Sequence, residues 1–327
     1  MLRIGLIGTG AWAREAHLAS LRGASVERRV VATRDPASAQ DLGFAEITPE
    51  WEAVVARDDL DAILVCTPPA THERMVRACL QAGHAVYCDA PLAFTSKGAQ
   101  GLCELAARRN CITGYGVPKP WTRGGERVRS LLRSGRIGEV HSASAVSRAP
   151  LWRDRWPHSA RGEDSGPSPL AGLLIGLVCE LLGPVERLRG RIGSEVHEYE
   201  GVRSVGDTVS AQLRTRSGID VTLEGGWSSS PPPATGLRLQ GSKGVLIWEW
   251  CEPFRILHFT QEFPQGQPME NPVEELSASW TATLEFLESV RKGRASRGFE
   301  RAAHELQVVE GLATGDQRSW ISIESWD

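Results

Sequence analysis

Three observations predict a two-domain α/β chain. An N-terminal doubly wound parallel sheet is followed by an α+β domain with an open, mainly antiparallel sheet. First, an apolar run at the start of the chain, Leu2–Ile7, breaks on Gly8-Thr9-Gly10 and passes into a helical pattern. Second, buried-type strands alternate with amphipathic helices as far as residue 118, which is the pattern of a parallel sheet covered on both faces. Third, the chain then changes to period-2 strands joined by short turns. The predicted domains are 1–118 and 119–327.

Taken in order, Leu2–Ile7 is the first strand and Trp12–Leu21 the first helix. Arg29–Thr33 is the second strand. Leu60–Cys66 is a third, stopped by Thr67-Pro68-Pro69. A helix over Thr71–Ala82 ends at Gly83, which suits the left-handed residue beyond a helix. Ala85–Cys88, the helix Ser96–Asn110 and Cys111–Tyr115 complete the set. Beyond Val117-Pro118-Lys119-Pro120 a helix over Glu126–Ser134 leads to Gly135-Arg136-Ile137-Gly138 and a strand at Val140–Val146. Residues 150–168 read as a long loop, a feature usually tied to function. Pro169–Leu182 is a helix. Strands follow at Thr208–Arg214, Ile219–Trp227, Leu237–Gln240 and Val245–Trp250, with turns at Arg216-Ser217-Gly218 and Ser242-Lys243-Gly244. Helices over Ser277–Lys292 and Glu300–Thr314 precede a last strand, Trp320–Glu324.

Composition removes several function classes. The net charge of −3 on 327 residues is not that of a nucleic-acid binder. No apolar run reaches the roughly 20 residues of a membrane span. The N-terminus runs straight into a strand and lacks a cleavable signal architecture. The cysteines (Cys66, Cys79, Cys88, Cys103, Cys111, Cys179, Cys251) form no C-x-x-C pair and read as reduced thiols in a cytoplasmic protein. No metal-ligand spacing occurs among the eight histidines. Of 37 basic residues only Lys97, Lys119, Lys243 and Lys292 are lysines, so chemistry that needs an amine has few candidates.

Gly8-Thr9-Gly10-Ala11-Trp12-Ala13 fits the G-x-G-x-x-(G/A) turn of dinucleotide sites, and it lies between a strand and a helix as that turn must. Gly8 permits the tight turn. Gly10 leaves room for a pyrophosphate, and Ala13 lets the helix pack close, so that its free N–H groups face the anion. At the end of the second strand an NAD site places a carboxylate for the ribose 2′-OH. Here the chain reads Thr33-Arg34-Asp35. A hydroxyl followed by a guanidinium suits a 2′-phosphate, which favours NADP. NAD stays open through Asp35.

Several motifs in order make the chain resemble the Gfo/Idh/MocA family (glucose–fructose oxidoreductase, inositol dehydrogenase, rhizopine catabolism). They are Gly8-Thr9-Gly10, Cys66-Thr67-Pro68-Pro69-Ala70-Thr71-His72, Asp89-Ala90-Pro91-Leu92-Ala93, Gly114-Tyr115, Ser134 to Val140, and Gly241-Ser242-Lys243-Gly244. The resemblance implies a Rossmann domain, a substrate domain whose sheet makes a homo-oligomer contact, and cofactor contacts from Cys66, Thr67, Pro68, His72, Asp89 and Ala90. It also exposes departures. The family's E-K-P is Asp89-Ala90-Pro91 here, so its lysine is absent. The family's helix with Asp and, four residues on, His aligns with Gly172 and Gly176. No Asp or His occurs anywhere from Ser165 to Gly193.

Reduction of a ketone or oxidation of an alcohol needs a proton donor or acceptor near neutral pH. Ala90, Gly172 and Gly176 cannot serve. This predicts hydride transfer to a C=N or polarised C=C bond, where protein acids matter least. Lys119, Tyr115 and His158 are the candidate replacement acids. Trp152, Arg155 and Trp156 would suit an aromatic or acidic small-molecule substrate by stacking and ion pairing. Gly172, Gly176 and Cys179 share a helix face, which reads equally as substrate space or as close packing. A non-catalytic, partner-binding homologue and an ordinary sugar or polyol dehydrogenase are the competing readings.

Overall fold

The computed structural model describes residues 1–117, 120–148, 169–193, 198–199, 202–203, 206, 208–226, 235–250, 255–269, 281–294, 298–315 and 318–324. Packing divides the chain into two compact units. One comprises Met1–Val117 with Glu275–Ala303, and the other Pro118–Glu274 with His304–Asp327.

The first unit holds six strands: β1 (Leu2–Ile7), β2 (Val26–Ala32), β3 (Glu46–Thr48), β4 (Ala62–Val65), β5 (Ala85–Asp89) and β6 (Thr113–Gly116). They form one parallel sheet in the order β3-β2-β1-β4-β5-β6. Ile4, Leu6, Ile63, Leu64 and Val65 are fully buried, as strands covered on both faces require. The strand order reverses between β1 and β4, and the carboxyl ends of strands at such a reversal are where doubly wound folds bind ligands. Helices Pro69–Gln81 and Ser96–Arg109 lie close to prediction, and Gly83 has φ +88°.

Three features of this unit depart from the sequence reading. The first helix is wound as a π-helix over Ala13–Leu18, a rare form that tends to mark functional sites. The short elements Pro36–Leu42, β3 and Trp51–Val55 lie in a stretch read as connection. The third is helix Thr281–Lys292, which the 1–118 boundary leaves out of this unit. It packs on β5 and β6. Phe286 lies against Tyr87 with ring centroids 5.8 Å apart, over Gly114, where a Cβ would stand 2.7 Å from the Phe286 ring. The apolar face of β5 and β6 thus gains its cover from a segment some 170 residues further on.

The second unit carries a nine-stranded sheet. Its strands are β7 (Val140–Arg148), β8 (Val185–Gly193), β11 (Thr208–Thr215), β12 (Asp220–Gly226), β13 (Gly236–Gly241), β14 (Gly244–Glu249), β15 (Arg255–Phe259), β16 (Gln267–Met269) and β17 (Ile321–Ser322). A two-residue ribbon, β9 (Glu198–Tyr199) with β10 (Val202–Arg203), stands apart. All neighbours in the large sheet are antiparallel except β7 and β12. β8, β15, β16 and the ribbon strands β9 and β10 are absent from the sequence reading. β8 reads Val-Glu-Arg-Leu-Arg-Gly-Arg-Ile-Gly, and its buried positions, Val185 and Leu188, are three apart, so the period-2 signal is missing.

Helix Pro169–Leu182 covers one face of this sheet, with Leu170, Leu174, Leu177, Val178 and Leu182 in the core. The two turn motifs of the sequence meet here. Ser242 N–H donates to the Glu139 carbonyl, Lys243 N–H to the Ile137 carbonyl, and Glu139 N–H to Ser242 Oγ. Gly138, at φ +72°, has no room for a Cβ against Ser242. The opposite face holds a depression of about 610 Å³ lined by Ser142, Ser144, Gln212, Thr222, Arg238 and Trp320 among others.

Candidate functional site

The glycine turn joins β1 to the first helix. Gly8 has φ +98°, and a Cβ there would collide with the Cys66 carbonyl, so glycine is required on conformation and on contact. Gly8 N–H donates to the Ala32 carbonyl at 2.9 Å. Gly10 is the opposite case: a Cβ there meets nothing within 4 Å. An open position at the start of a helix is the cradle a pyrophosphate fits. Ala13 is buried against the sheet, as the motif needs, while Gly10 and Ala11 are exposed and Trp12 is half-buried.

Thr33, at the end of β2, is buried and its Oγ1 bonds Thr9 Oγ1 at 2.8 Å. Arg34 is exposed. The Asp35 carboxylate caps the helix over Pro36–Leu42 by accepting from Ser38 N–H. Arg14 donates to the Thr9 and Ser38 carbonyls and lies 3.5 Å from Asp41. Thr33, Arg34 and Asp35 follow directly on the C-terminal end of β2.

Cys66 and Thr67 follow β4. Thr71 Oγ1 donates to Thr67 Oγ1 at 2.7 Å, and Pro68, exposed, starts the helix over Pro69–Gln81. His72 is buried, with Nδ1 2.7 Å from the Pro91 carbonyl and Nε2 2.6 Å from the Thr67 carbonyl. It braces the loops after β4 and β5, which is a positioning role. Ala90, half-buried, begins the second of those loops.

Asp89 ends β5. Its Oδ1 is 2.8 Å from Nε2 of His17, and Nδ1 of His17 is 2.6 Å from Thr283 Oγ1. The imidazole is fully buried and packs T-shaped with the Tyr87 ring at 5.2 Å between centroids. His17, Cys66 and Asp89 bring one polar atom each to within 4.8 Å of the others. Burial raises the pKa of the Cys66 thiol well above the ordinary thiol value, with Asp89 and Cys88 adding to the effect. Cys66 is therefore a neutral S–H beside the carboxylate. Sequence reasoning placed Asp89 but missed His17 and Thr283. A histidine nine residues past Gly8 was visible, but its partners are 72 and 266 residues away.

Other candidates are dispersed. Tyr115 is buried under Arg301, which donates to the Tyr115 carbonyl at 2.8 Å and sits 5.9 Å from its ring. Gly172 faces open space, whereas Gly176 and Cys179 are buried. Lys119, Trp152, Arg155, Trp156 and His158 lie outside the described residues.

A 3-2-1-4-5-6 parallel sheet with this turn at its reversal point defines an NAD(P)-binding oxidoreductase domain. Residues 2–117 match the family model of the oxidoreductase family with NAD-binding Rossmann fold, and residues 126–247 match the GFO/IDH/MocA C-terminal domain. The chain belongs to the GFO/IDH/MocA oxidoreductase family.

The inositol 2-dehydrogenase of Pseudomonas savastanoi pv. phaseolicola is 33% identical over 159 residues, 46% of each chain. The dTDP-3,4-didehydro-2,6-dideoxy-alpha-D-glucose 3-reductase of Saccharopolyspora spinosa is 31% identical over 153 residues, again 46% of each. The chain thus spans about half the length of these curated relatives. A levoglucosan dehydrogenase solved in complex with NADH superposes with TM-score 0.84 at 18% identity, covering 99% of this chain and 100% of that one. Among the described residues no helix is long and apolar enough to cross a membrane.

Proposed function

We propose that this chain is an NADP-preferring reductase that passes hydride to a C=N or polarised C=C bond of a small specialised metabolite. One observation carries the reading: the dinucleotide turn is complete, yet Ala90 stands where the family places an amine. When bound, the dinucleotide supplies the hydride. Gly8 and Gly10 admit its phosphates, and His72 holds the loops on either side of the sheet edge. NADP preference is supported by exposed Arg34 and by the use of the Asp35 carboxylate as a helix cap. A homo-oligomer through the open face of the large sheet belongs to the same reading.

A second reading, a sugar or polyol oxidoreductase, is favoured by the names of the relatives. Fluorescence titration with NADPH and NADH, then turnover on cyclic imines, enones, keto sugars and polyols, separates the two. We expect tighter binding of NADPH and turnover of an imine or enone. Arg34→Ala should weaken NADPH about tenfold or more and leave NADH unchanged, since a charge-assisted bond contributes about 1.5–3 kcal/mol. Turnover confined to polyols or keto sugars sinks the first reading. Failure to bind either nucleotide sinks both and leaves a partner-binding homologue.

A further inference from the structure

We propose that Arg14 is a specificity-determining residue of the dinucleotide site, a fixed guanidinium that, with Arg34 and the Thr9–Thr33 hydroxyl pair, receives a phosphate monoester on the adenosine ribose. The proposal deepens the cofactor preference given above and rests on it.

Arg14 lies in the first turn of the helix that follows the glycine turn. Its Nε–H donates to the Thr9 carbonyl at 3.2 Å, inside the glycine turn itself, and an Nη2–H donates to the Ser38 carbonyl beyond β2. Nη1 lies 3.5 Å from Asp41, a long contact to a carboxylate that is 75% exposed. A guanidinium carries five N–H donors. Among the described residues these contacts engage three of them and leave two over. The two carbonyls hold the group in place before any ligand arrives, so little side-chain freedom is lost on binding.

Thr33 and Arg34 supply the rest of the lining. Thr33 Oγ1 accepts from the N–H of Asp35 at 3.3 Å and shares a hydrogen bond of 2.8 Å with Thr9 Oγ1. Two hydroxyls carry two O–H donors, and the bond between them uses one. Whichever oxygen donates, the pair keeps one O–H for a third group. Arg34 is exposed and has no side-chain partner among the described residues.

Asp35 is the carboxylate that an NAD site would turn to a ribose hydroxyl. Here it accepts from Ser38 N–H at 3.4 Å, and the Ser38 hydroxyl donates to the Asp35 carbonyl at 2.8 Å. Thr9, Thr33, Asp35, Ser38 and Arg14 thus close a ring of hydrogen bonds that joins the glycine turn to the end of β2. The groups left over around it are mostly donors, and two of them are cationic. A ribose 2′-OH needs an acceptor as well as a donor. A phosphate monoester carries a charge of about −1.5 to −2 near neutral pH and its oxygens accept, so it matches this surplus.

Fluorescence titration with NADPH and NADH, and displacement of bound NADPH by 2′,5′-ADP or 5′-AMP, isolates the phosphate, because each pair differs by that group alone. Arg14→Met keeps the aliphatic stem and removes the cation. It should weaken NADPH and 2′,5′-ADP about tenfold or more relative to NADH and 5′-AMP, as expected for loss of a charge-assisted hydrogen bond. Arg14→Lys keeps the charge without the planar fork and should fall between. Asp41→Asn removes an exposed competitor for the guanidinium and should tighten NADPH about twofold with NADH unchanged. This second variant keeps the test decisive where Arg14→Met fails to fold. A merely structural brace would change the affinity for all four ligands by one factor in Arg14→Met and leave Asp41→Asn silent. An unaltered NADPH-to-NADH ratio in the variants overturns the proposal; where Arg34→Ala still shifts that ratio, the cofactor preference stands. Wild type that binds NADH as tightly as NADPH, or binds neither, overturns the cofactor preference and this proposal with it.

Discussion

Acidification should selectively loosen the second unit through His304. This imidazole lies in helix Gly298–Thr314, is buried, and accepts the N–H of Val185 through Nε2 at 2.9 Å. Burial, assisted by the Arg216 charge, lowers its pKa to about 4 from an ordinary 6.5. The unfolded chain therefore binds the proton more readily than the folded one. Stability is complete above pH 6.5 and is lost as pH falls from 6.5 toward 4. The whole gap corresponds to about 3 kcal/mol, of which about 2 kcal/mol is spent between pH 7 and pH 5. For a unit of this size that is a fall of about 4–8 °C in melting temperature. His304→Gln keeps an acceptor for Val185 but cannot titrate. Melts followed by circular dichroism at pH 7, 6 and 5 give the stability of both proteins. Wild type should lead the variant at pH 7, and the lead should shrink by about 2 kcal/mol at pH 5. A lead that does not change with pH refutes the reasoning.

Further outcomes follow from burial and backbone geometry. Arg129→Ala should destabilise the second unit by about 3–5 kcal/mol in denaturant unfolding, because it removes a largely buried guanidinium that pairs with Glu180 at 3.1 Å and with Glu126 at 2.6 Å. The same change also strips the guanidinium from the face of Trp121, 4.6 Å away, so near-ultraviolet dichroism should change. Gly8→Ala should abolish nucleotide binding in fluorescence titration, since the left-handed backbone and the Cys66 carbonyl both oppose a Cβ. Gly10→Ala meets no protein atom and should fold with wild-type stability while binding nucleotide more weakly.

Much of the fold was readable because its signals are local. The turn after β1, the stop at Thr67-Pro68-Pro69, Gly83 and the hairpins at Gly218 and Ser242-Lys243-Gly244 each depend on a few adjacent residues. β8 was not readable because three arginines and Gly190 interrupt its alternation, and its strand state is imposed by pairing with β11. Helix Thr281–Lys292 was readable as a helix but not as part of the first unit, because the surface it covers is made by Tyr87 and Gly114. The site divides in the same way. Gly8, Gly10, Thr33 and Arg34 follow from one turn and one strand end. Tyr115 reads from its strand end as an available acid, whereas the fold buries it beneath Arg301.

The sequence by itself determined the dinucleotide turn and the two-part α/β architecture, since each is written in contiguous residues whose geometry is set by short-range sterics. Only the tertiary structure decided what stands beside Ala90. Residues 17, 66, 89 and 283 have no relation along the chain. Parallel strands bring the ends of β4 and β5 together, a helix returning from near the C-terminus adds Thr283, and burial then forces these polar groups to satisfy one another.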